Sequence, residues 1–245
     1  RLVHLLHTQA PLHHFDLVVT LPQYRLPRRA NILHNTLPLN VPDPAGLRQD
    51  AQVWRPKLQH LPKPWTVVLV GGDSSSYRLD AAVASNLAAR ANAIAEETGG
   101  SLLISTSPRS PATTADIMEA EIRCPYYLHR WRRDDADNPY KAFLALADRF
   151  LVTADSASLP AEACAMGQPV ELFDWQPRRQ PSSNPRGSLA QQLQNALIYW
   201  GFSKPRRDFA AFHQALELQG LIGEAQPANP PNDLQRTVER IRELF

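Results

Sequence analysis

The chain has 245 residues, 43% of them apolar and 20% charged, the composition of an ordinary soluble globular protein long enough for one large domain or two small ones. A formal net charge of +2 argues against a dedicated nucleic-acid binder, no apolar run reaches the ~18 residues that a bilayer span needs, and Arg1-Leu2-Val3-His4 does not open a signal peptide. Cytosolic residence is the expectation, and a basic isoelectric point of about 8.7 allows peripheral contact with the anionic inner membrane.

In chain order, residues 2–6 and 15–19 read as short buried strands and 31–34 as a third. The chain starts at Arg1 inside such a strand and without a methionine, so further residues of that domain are expected before it. Pro38, Pro42, Pro44, Pro56, Pro62 and Pro64 then punctuate a stretch without periodicity, which reads as a linker over 38–64. From Thr66 the pattern changes to strands alternating with helices. Strands are expected at 66–70, 101–105, 126–131, 150–153 and 170–173. Helices are expected at 79–98, 113–122, 140–147 and 159–166, the first stopped by Gly99-Gly100. This order predicts an α/β, doubly wound, Rossmann-like parallel sheet. Three more helices follow at 188–200, 208–218 and 233–245. The domain reading is a partial N-terminal domain and linker over 1–60, a nucleotide-binding domain over 61–220, and a C-terminal helix over 221–245 placed to pack back on the N-terminal part.

Ligands of such a sheet bind outside the carboxyl ends of its strands. The loop Gly71-Gly72-Asp73-Ser74-Ser75-Ser76 follows the first buried strand there. Its glycines permit close backbone approach and its amides and hydroxyls suit phosphate; a plain tight turn is the alternative. Neither a P-loop nor the G-x-G-x-x-G fingerprint is present, which argues against a dinucleotide-dependent epimerase. The segment from Thr153 through Asp155, Ser156 and Ser158 to Gly167-Gln168-Pro169 carries more. A strand ends, a small polar loop follows, and a helix begins with Ser158 as expected N-cap and Pro160 in its first turn. Glu162 shares a helix face with Ser158; a capping box is excluded because Ala161 stands three residues after the cap. A carboxylate there suits paired ribose hydroxyls, while the helix start suits a diphosphate. Asp134, Asp135 and Asp137 read as a solvated loop and not a metal site. Cys124 and Cys164 match neither a disulfide framework nor zinc spacing and read as small buried hydrophobes. Only Lys57, Lys63, Lys141 and Lys204 of the 26 basic residues are lysines, an arginine excess that suits phosphate and equally reflects a GC-rich genome. His4, His7, His13, His14 and His34 crowd the opening segment without an identifiable carboxylate partner, so no catalytic base is assigned.

The run Asn138-Pro139-Tyr140, Ala147-Asp148, Val152 to Ser156, Glu162-Ala163 and Gly167-Gln168-Pro169-Val170 resembles the mitochondrial-fission ELM-type family, which has plant members tied to mitochondrial division and many bacterial members. Gly71-Gly72-x-Ser74 and Ser107-Pro108-Arg109-Ser110-Pro111 resemble two further motifs of that family, and the likeness covers about residues 66–175. The family in turn resembles GT-B glycosyltransferases, whose second domain holds a nucleotide sugar with a similar Ser-x-x-x-x-Glu…Gly-x-Pro element. The resemblance implies that Arg109 contacts phosphate or lines the donor cleft, where a solvated loop arginine is the alternative. It places Trp131 near the nucleobase, where a core tryptophan is the alternative. This chain departs from the family at Asp73, Pro108 and Ala161, where proline, a second arginine and serine are usual.

The expectation is therefore a metal-independent GT-B glycosyltransferase without a cofactor. It would move a sugar from a nucleoside-diphosphate donor, UDP-type favoured, to a cell-surface polysaccharide or lipid-linked acceptor. The donor site would comprise Gly71, Gly72, Ser74, Arg109, Trp131, Asp155, Ser156, Ser158 and Glu162. The competing expectation is a non-catalytic scaffold of the same fold, which has no need of Ser156, Ser158 and Glu162 together.

Overall fold

The apolar, β-branched run that ends in Gly71-Gly72 forms the central strand of a five-stranded sheet. The computed structural model describes residues 1–6, 8, 10–39, 43–74, 76–175, 189–204, 207–223 and 229–245. His7, Ser75 and Ser188, which figure in the sequence reading, lie outside them. Contacts group the chain into two units, one of Arg1–Leu39, Pro177–Leu218 and Pro231–Phe245, the other of Asn40–Gln176 and Gln219–Pro230.

The second unit begins with α1 (Pro44–Leu58), within the stretch expected to be a linker. Asp43 caps it, accepting from the amides of Ala45 and Gly46 at 3.0 Å each, and Pro44 stands in the first turn where its missing N–H costs nothing. Of the prolines that suggested a linker, Pro44 opens this helix where it is tolerated and Pro56 lies in its last turn, Pro38, Pro62 and Pro64 lie outside it, and Pro42 is outside the described residues. β4 (Trp65–Leu69), α2 (Ala81–Thr98), β5 (Ser101–Ser105), α3 (Ala112–Glu121) and β6 (Tyr126–His129) follow. α4 (Tyr140–Leu146), β7 (Arg149–Thr153), α5 (Ser158–Cys164) and β8 (Val170–Phe173) complete the alternation. Asp80 caps α2 through the Val83 amide, and Gly99 stops it in the left-handed region at φ +67°.

All pairings are parallel, in the order β6-β5-β4-β7-β8. Val68, Val70, Leu102, Ile104 and Leu151 pack on α2 and on Met118 of α3. The alternate set Val67, Leu69, Leu103 and Val152 is equally buried, as a sheet covered on both faces requires. α1 packs on α4, with Trp54 edge-on to Phe143 at 6.4 Å and to Tyr127 at 5.6 Å. Asp148 pins the start of β7 to β4, accepting from the Trp65 amide at 2.8 Å and from Lys63 Nζ at 2.9 Å.

The strand order reverses at β4: the chain runs outward through β5 and β6, then returns to the far side of β4 with β7. The switch point lies between β4 and β7, where doubly wound sheets bind ligands. Leu69 is in register with Val152, so Gly71-Gly72 and Thr153–Asp155 leave the sheet side by side.

The first unit holds a three-stranded parallel sheet of β1 (Val3–Leu5), β2 (Leu17–Thr20) and β3 (Ile32–His34). α6 (Leu189–Tyr199) and α7 (Phe209–Leu218), expected within 61–220, belong to this unit, as does α8 (Asp233–Arg242). Ile198 of α6 joins a core of Leu12, Val18, Leu21, Leu26 and Ile32. Buried Asp233 accepts from the amides of Thr36 and Leu37, at 2.8 Å each, and so fixes α8 beyond β3. Among the described residues no helix is long and apolar enough to cross a membrane.

Phe143 is fully buried between α1 and the sheet. Phe143→Ala is expected to destabilise the protein by about 3–5 kcal/mol in urea unfolding, since the cavity adds to the lost transfer energy.

Candidate functional site

Two consecutive glycines at a strand end allow a close approach that any side chain would block. A Cβ on Gly71 would overlap the Asp155 carboxylate, and one on Gly72 would overlap the Arg109 backbone. The group that approaches is thus a fully buried carboxylate of the protein itself. Asp155 Oδ2 accepts from the Gly72 amide at 3.1 Å and from Arg109 Nη2 at 2.8 Å. Asp155 Oδ1 accepts from the Thr153 hydroxyl at 2.7 Å, and the same Thr153 oxygen accepts from the Gly71 amide at 2.7 Å. An ionised carboxylate is held in the interior only with such partners.

The neighbouring loop closes on this knot. Ser107 donates to the Gly71 carbonyl at 3.0 Å, and the Ser110 hydroxyl lies against the same carbonyl. The Asp73 amide donates to the Arg109 carbonyl at 3.3 Å, and the Ser74 amide to the Tyr77 carbonyl at 2.9 Å. All four amides from Gly71 to Ser74, the expected phosphate cradle, therefore have acceptors within the protein. Asp73 turns away from the cleft, taking the Leu79 amide at 2.9 Å and Arg78 Nη1 at 3.0 Å. The Leu79 hydrogen bond first, and Arg78 after it, hold the Asp73 carboxyl below the usual carboxylate range. Ser74 Oγ accepts from the Tyr77 amide at 3.2 Å and shapes the turn.

The loop after β7 differs. Ala157, not Ser158, occupies the cap of α5, in αR geometry and with no side-chain cap; Ser158 is the exposed first residue of the helix. Among the described residues nothing accepts from the amides of Ser156, Ala157 or Ser158. Among the described residues Ser156 Oγ is also buried with no hydrogen-bond partner. Half-exposed Arg109 reaches the same strand ends from the β5 side.

Glu162 lies on the face of α5 toward α4. The hydroxyl of Tyr140, the first residue of α4, donates to Glu162 Oε2 at 2.5 Å. Burial, then the Glu162 charge and this hydrogen bond, raise the Tyr140 pKa far above its ordinary value, so it stays a donor. Asn138 Oδ1 accepts from the Tyr140 amide at 3.0 Å, which gives the Asn138-Pro139-Tyr140 motif its place.

Trp131 follows β6, the outer strand, about 10 Å from β4 at the usual strand spacing. Its amide donates to Thr106 Oγ1 at 2.8 Å and its side chain is half-buried. Buried His129 ends the same strand, with Nε2 3.8 Å from Asp135 Oδ2. Sequence reasoning gave His129 no role. It also passed over Tyr77 and Asp174, whose hydroxyl and carboxylate meet at 3.2 Å. No single-residue signal marks them, because the partners are 97 positions apart. Among the described residues no group of three or more His, Cys, Asp or Glu is placed to hold a metal.

Over residues 1–243 the sequence matches the family described as mitochondrial fission ELM1. The protein of Arabidopsis thaliana named mitochondrial fission protein ELM1 is 32% identical over 191 residues, which is 69% of this chain and 44% of the plant protein. An uncharacterized protein of Rickettsia prowazekii (strain Madrid E), RP120, is 29% identical over 118 residues, 47% of this chain and 33% of that protein. The matched part thus spans less than half the length of either relative.

Removing Asp155 leaves Arg109, the Thr153 hydroxyl and the Gly72 amide without their acceptor. Asp155→Ala is expected to cost about 3–5 kcal/mol in chemical unfolding. Asp155→Asn, which keeps an acceptor oxygen, is expected to cost less. Gly72→Ala is expected to destabilise as well, since the obstructing atoms are backbone. His129 titrates below its ordinary value of 6.5, because burial outweighs the raising effect of Asp135, and Arg132 lowers it further. A histidine depressed in the folded state binds protons more readily when unfolded. Its stabilising contribution is complete above about pH 6.5 and is lost as pH falls through that value toward the folded pKa. Unfolding at pH 7.5, 6.5 and 5.5 should show this loss, and His129→Gln should flatten it.

Proposed function

The chain belongs to the mitochondrial fission ELM1 family, and on that premise we propose that it is a GT-B-type glycosyltransferase whose donor diphosphate binds at the β4–β7 switch point. Ser156 carries the reading. A buried hydroxyl without a partner is costly and calls for an explanation. It stands at a strand end beside three unaccepted amides and across from a half-exposed arginine. A diphosphate oxygen would satisfy these groups together. The knot around Asp155 is then a rigid pillar that aims Arg109 and carries the loop.

In this reading Ser156, the amides of Ser156–Ser158 and Arg109 Nη1 stabilise the charge that develops on the leaving diphosphate. Preorganised donors at such a position lower the barrier without a metal ion. Glu162 accepts from the ribose hydroxyls, with Tyr140 holding its carboxylate in place. Gly71, Gly72 and Ser74 support the site through the knot and the turn, and Trp131 lies toward the nucleobase end. The acceptor is a glycan or lipid-linked sugar.

A second reading has its own support. Asp155 already balances the charge of Arg109, and the amides of Gly71–Ser74 have internal acceptors, an arrangement that a non-catalytic scaffold needs no ligand to maintain. The plant relative's name ties it to mitochondrial fission, and a scaffold role would accord with that.

The two separate in thermal unfolding with UDP, GDP, ADP, CMP and their sugars. Ligand at about 100 times its dissociation constant adds about 2.7 kcal/mol. The transferase reading predicts a shift with one nucleotide family that Ser156→Ala and Glu162→Ala both abolish. No shift with any of them would leave the scaffold.

A further inference from the structure

α6 carries an apolar row that it does not use for its own packing. Ile198 turns inward to the core of the first unit, whereas Leu189, Leu193 and Leu197 recur every fourth residue on the outside. These leucines are 84%, 62% and 39% exposed. Trp200 continues the row one turn on at 53%, and Phe202 follows at 82%. Singly scattered apolar residues are ordinary on a protein surface; three in one helical row with two exposed aromatics just past it mark a contact face.

Cations of the same unit lie near the end of the row. The Arg29 guanidinium lies 5.3 Å over the Tyr199 ring, and Tyr199 meets Trp200 edge-on at 5.7 Å. Lys204 stands two residues after Phe202, Arg207 lies 5.6 Å over Tyr24, and Arg28 is exposed nearby in sequence. Asp208 is engaged by Arg25 at 2.6 Å. The helix itself, Leu-Ala-Gln-Gln-Leu-Gln-Asn-Ala-Leu-Ile-Tyr, has no charged residue.

We propose that this face binds the surface of a bilayer containing anionic lipid. The leucines and Phe202 enter the acyl boundary, Trp200 sits at headgroup depth, and Arg28, Arg29, Lys204 and Arg207 meet the lipid phosphates. An outward apolar helix face ending in aromatic and cationic side chains is the arrangement an interface favours. The cations decide between occupants. A second copy packed on the same row would offer an uncharged helix, whereas anionic headgroups supply charge complementary to these cations. The inference stands apart from the transferase reading, since it uses no residue of the donor site.

The test is co-sedimentation of the full chain with vesicles of phosphatidylcholine alone and with about one third phosphatidylglycerol, at low and high salt, the electrostatic part being salt-sensitive. Binding to the anionic vesicles, weakened at high salt, is expected. The exposed-site variants Leu193→Glu/Phe202→Ser and Arg28→Glu/Lys204→Glu should each weaken it at least tenfold while leaving the thermal unfolding midpoint unchanged. Brominated lipid should quench the wild type more than Trp200→Phe. Binding that survives both double variants would overturn the proposal, as would no binding to either vesicle. So would a dimer in solution that Leu193→Glu converts to monomer, which would assign the row to a second copy.

Discussion

A carboxylate with no access to water organises the ligand end of the larger sheet. Asp155 follows β7 at the point where the strand order reverses, and three donors from three segments converge on it: the Thr153 hydroxyl, the Gly72 amide and Arg109. Burying an ionised group is expensive, and the compensation here is geometric. The chain must bring Gly71-Gly72 within hydrogen-bond reach, which forbids a Cβ at either position. It must also bring the loop after β5 close enough for Arg109 to pair. Three strand ends are thereby fixed relative to one another.

This constraint shapes what the site offers a ligand. The loop that composition suggests as a phosphate cradle has its amides engaged, and among the described residues the groups without partners lie one strand over, at Ser156–Ser158. Their neighbours are positioned by the same knot, Arg109 directly and Glu162 through the helix that Ser158 begins. Tyr140 reaches Glu162 from α4, so the family motif Asn138-Pro139-Tyr140 and the glutamate of the longer motif form one contact. Tyr140 and Glu162, which stand in separate stretches of the resemblance, are thus partners in the fold.

Much of the second unit was legible in the sequence, because strands covered on both faces read as continuous apolar runs and the alternation with helices implies a parallel sheet. Boundaries there moved by one or two residues, as helix and strand ends do. α1 was hidden by Pro44 and Pro56, since a helix that begins on proline has the composition of a linker. The hydroxyl of Ser158 points to it as the cap in sequence, yet the turn closes one residue earlier on Ala157, where no side chain contributes. Gly71-Gly72 correctly signalled a close approach, but sequence order does not say what approaches: Asp155 is 83 residues away from Gly72. Likewise α6 and α7 follow β8 along the chain while their contacts lie in the first unit, with the turns at Leu12–His14 and Pro22–Tyr24, a separation only tertiary structure reveals.

The most direct test of the central claim is a crystal structure of the chain grown with a nucleoside diphosphate. The account predicts the diphosphate against Ser156–Ser158 and Arg109, the ribose at Glu162, and the Asp155 knot intact beneath them. A nucleotide bound elsewhere, or none bound with Ser156 still unpartnered, would contradict it.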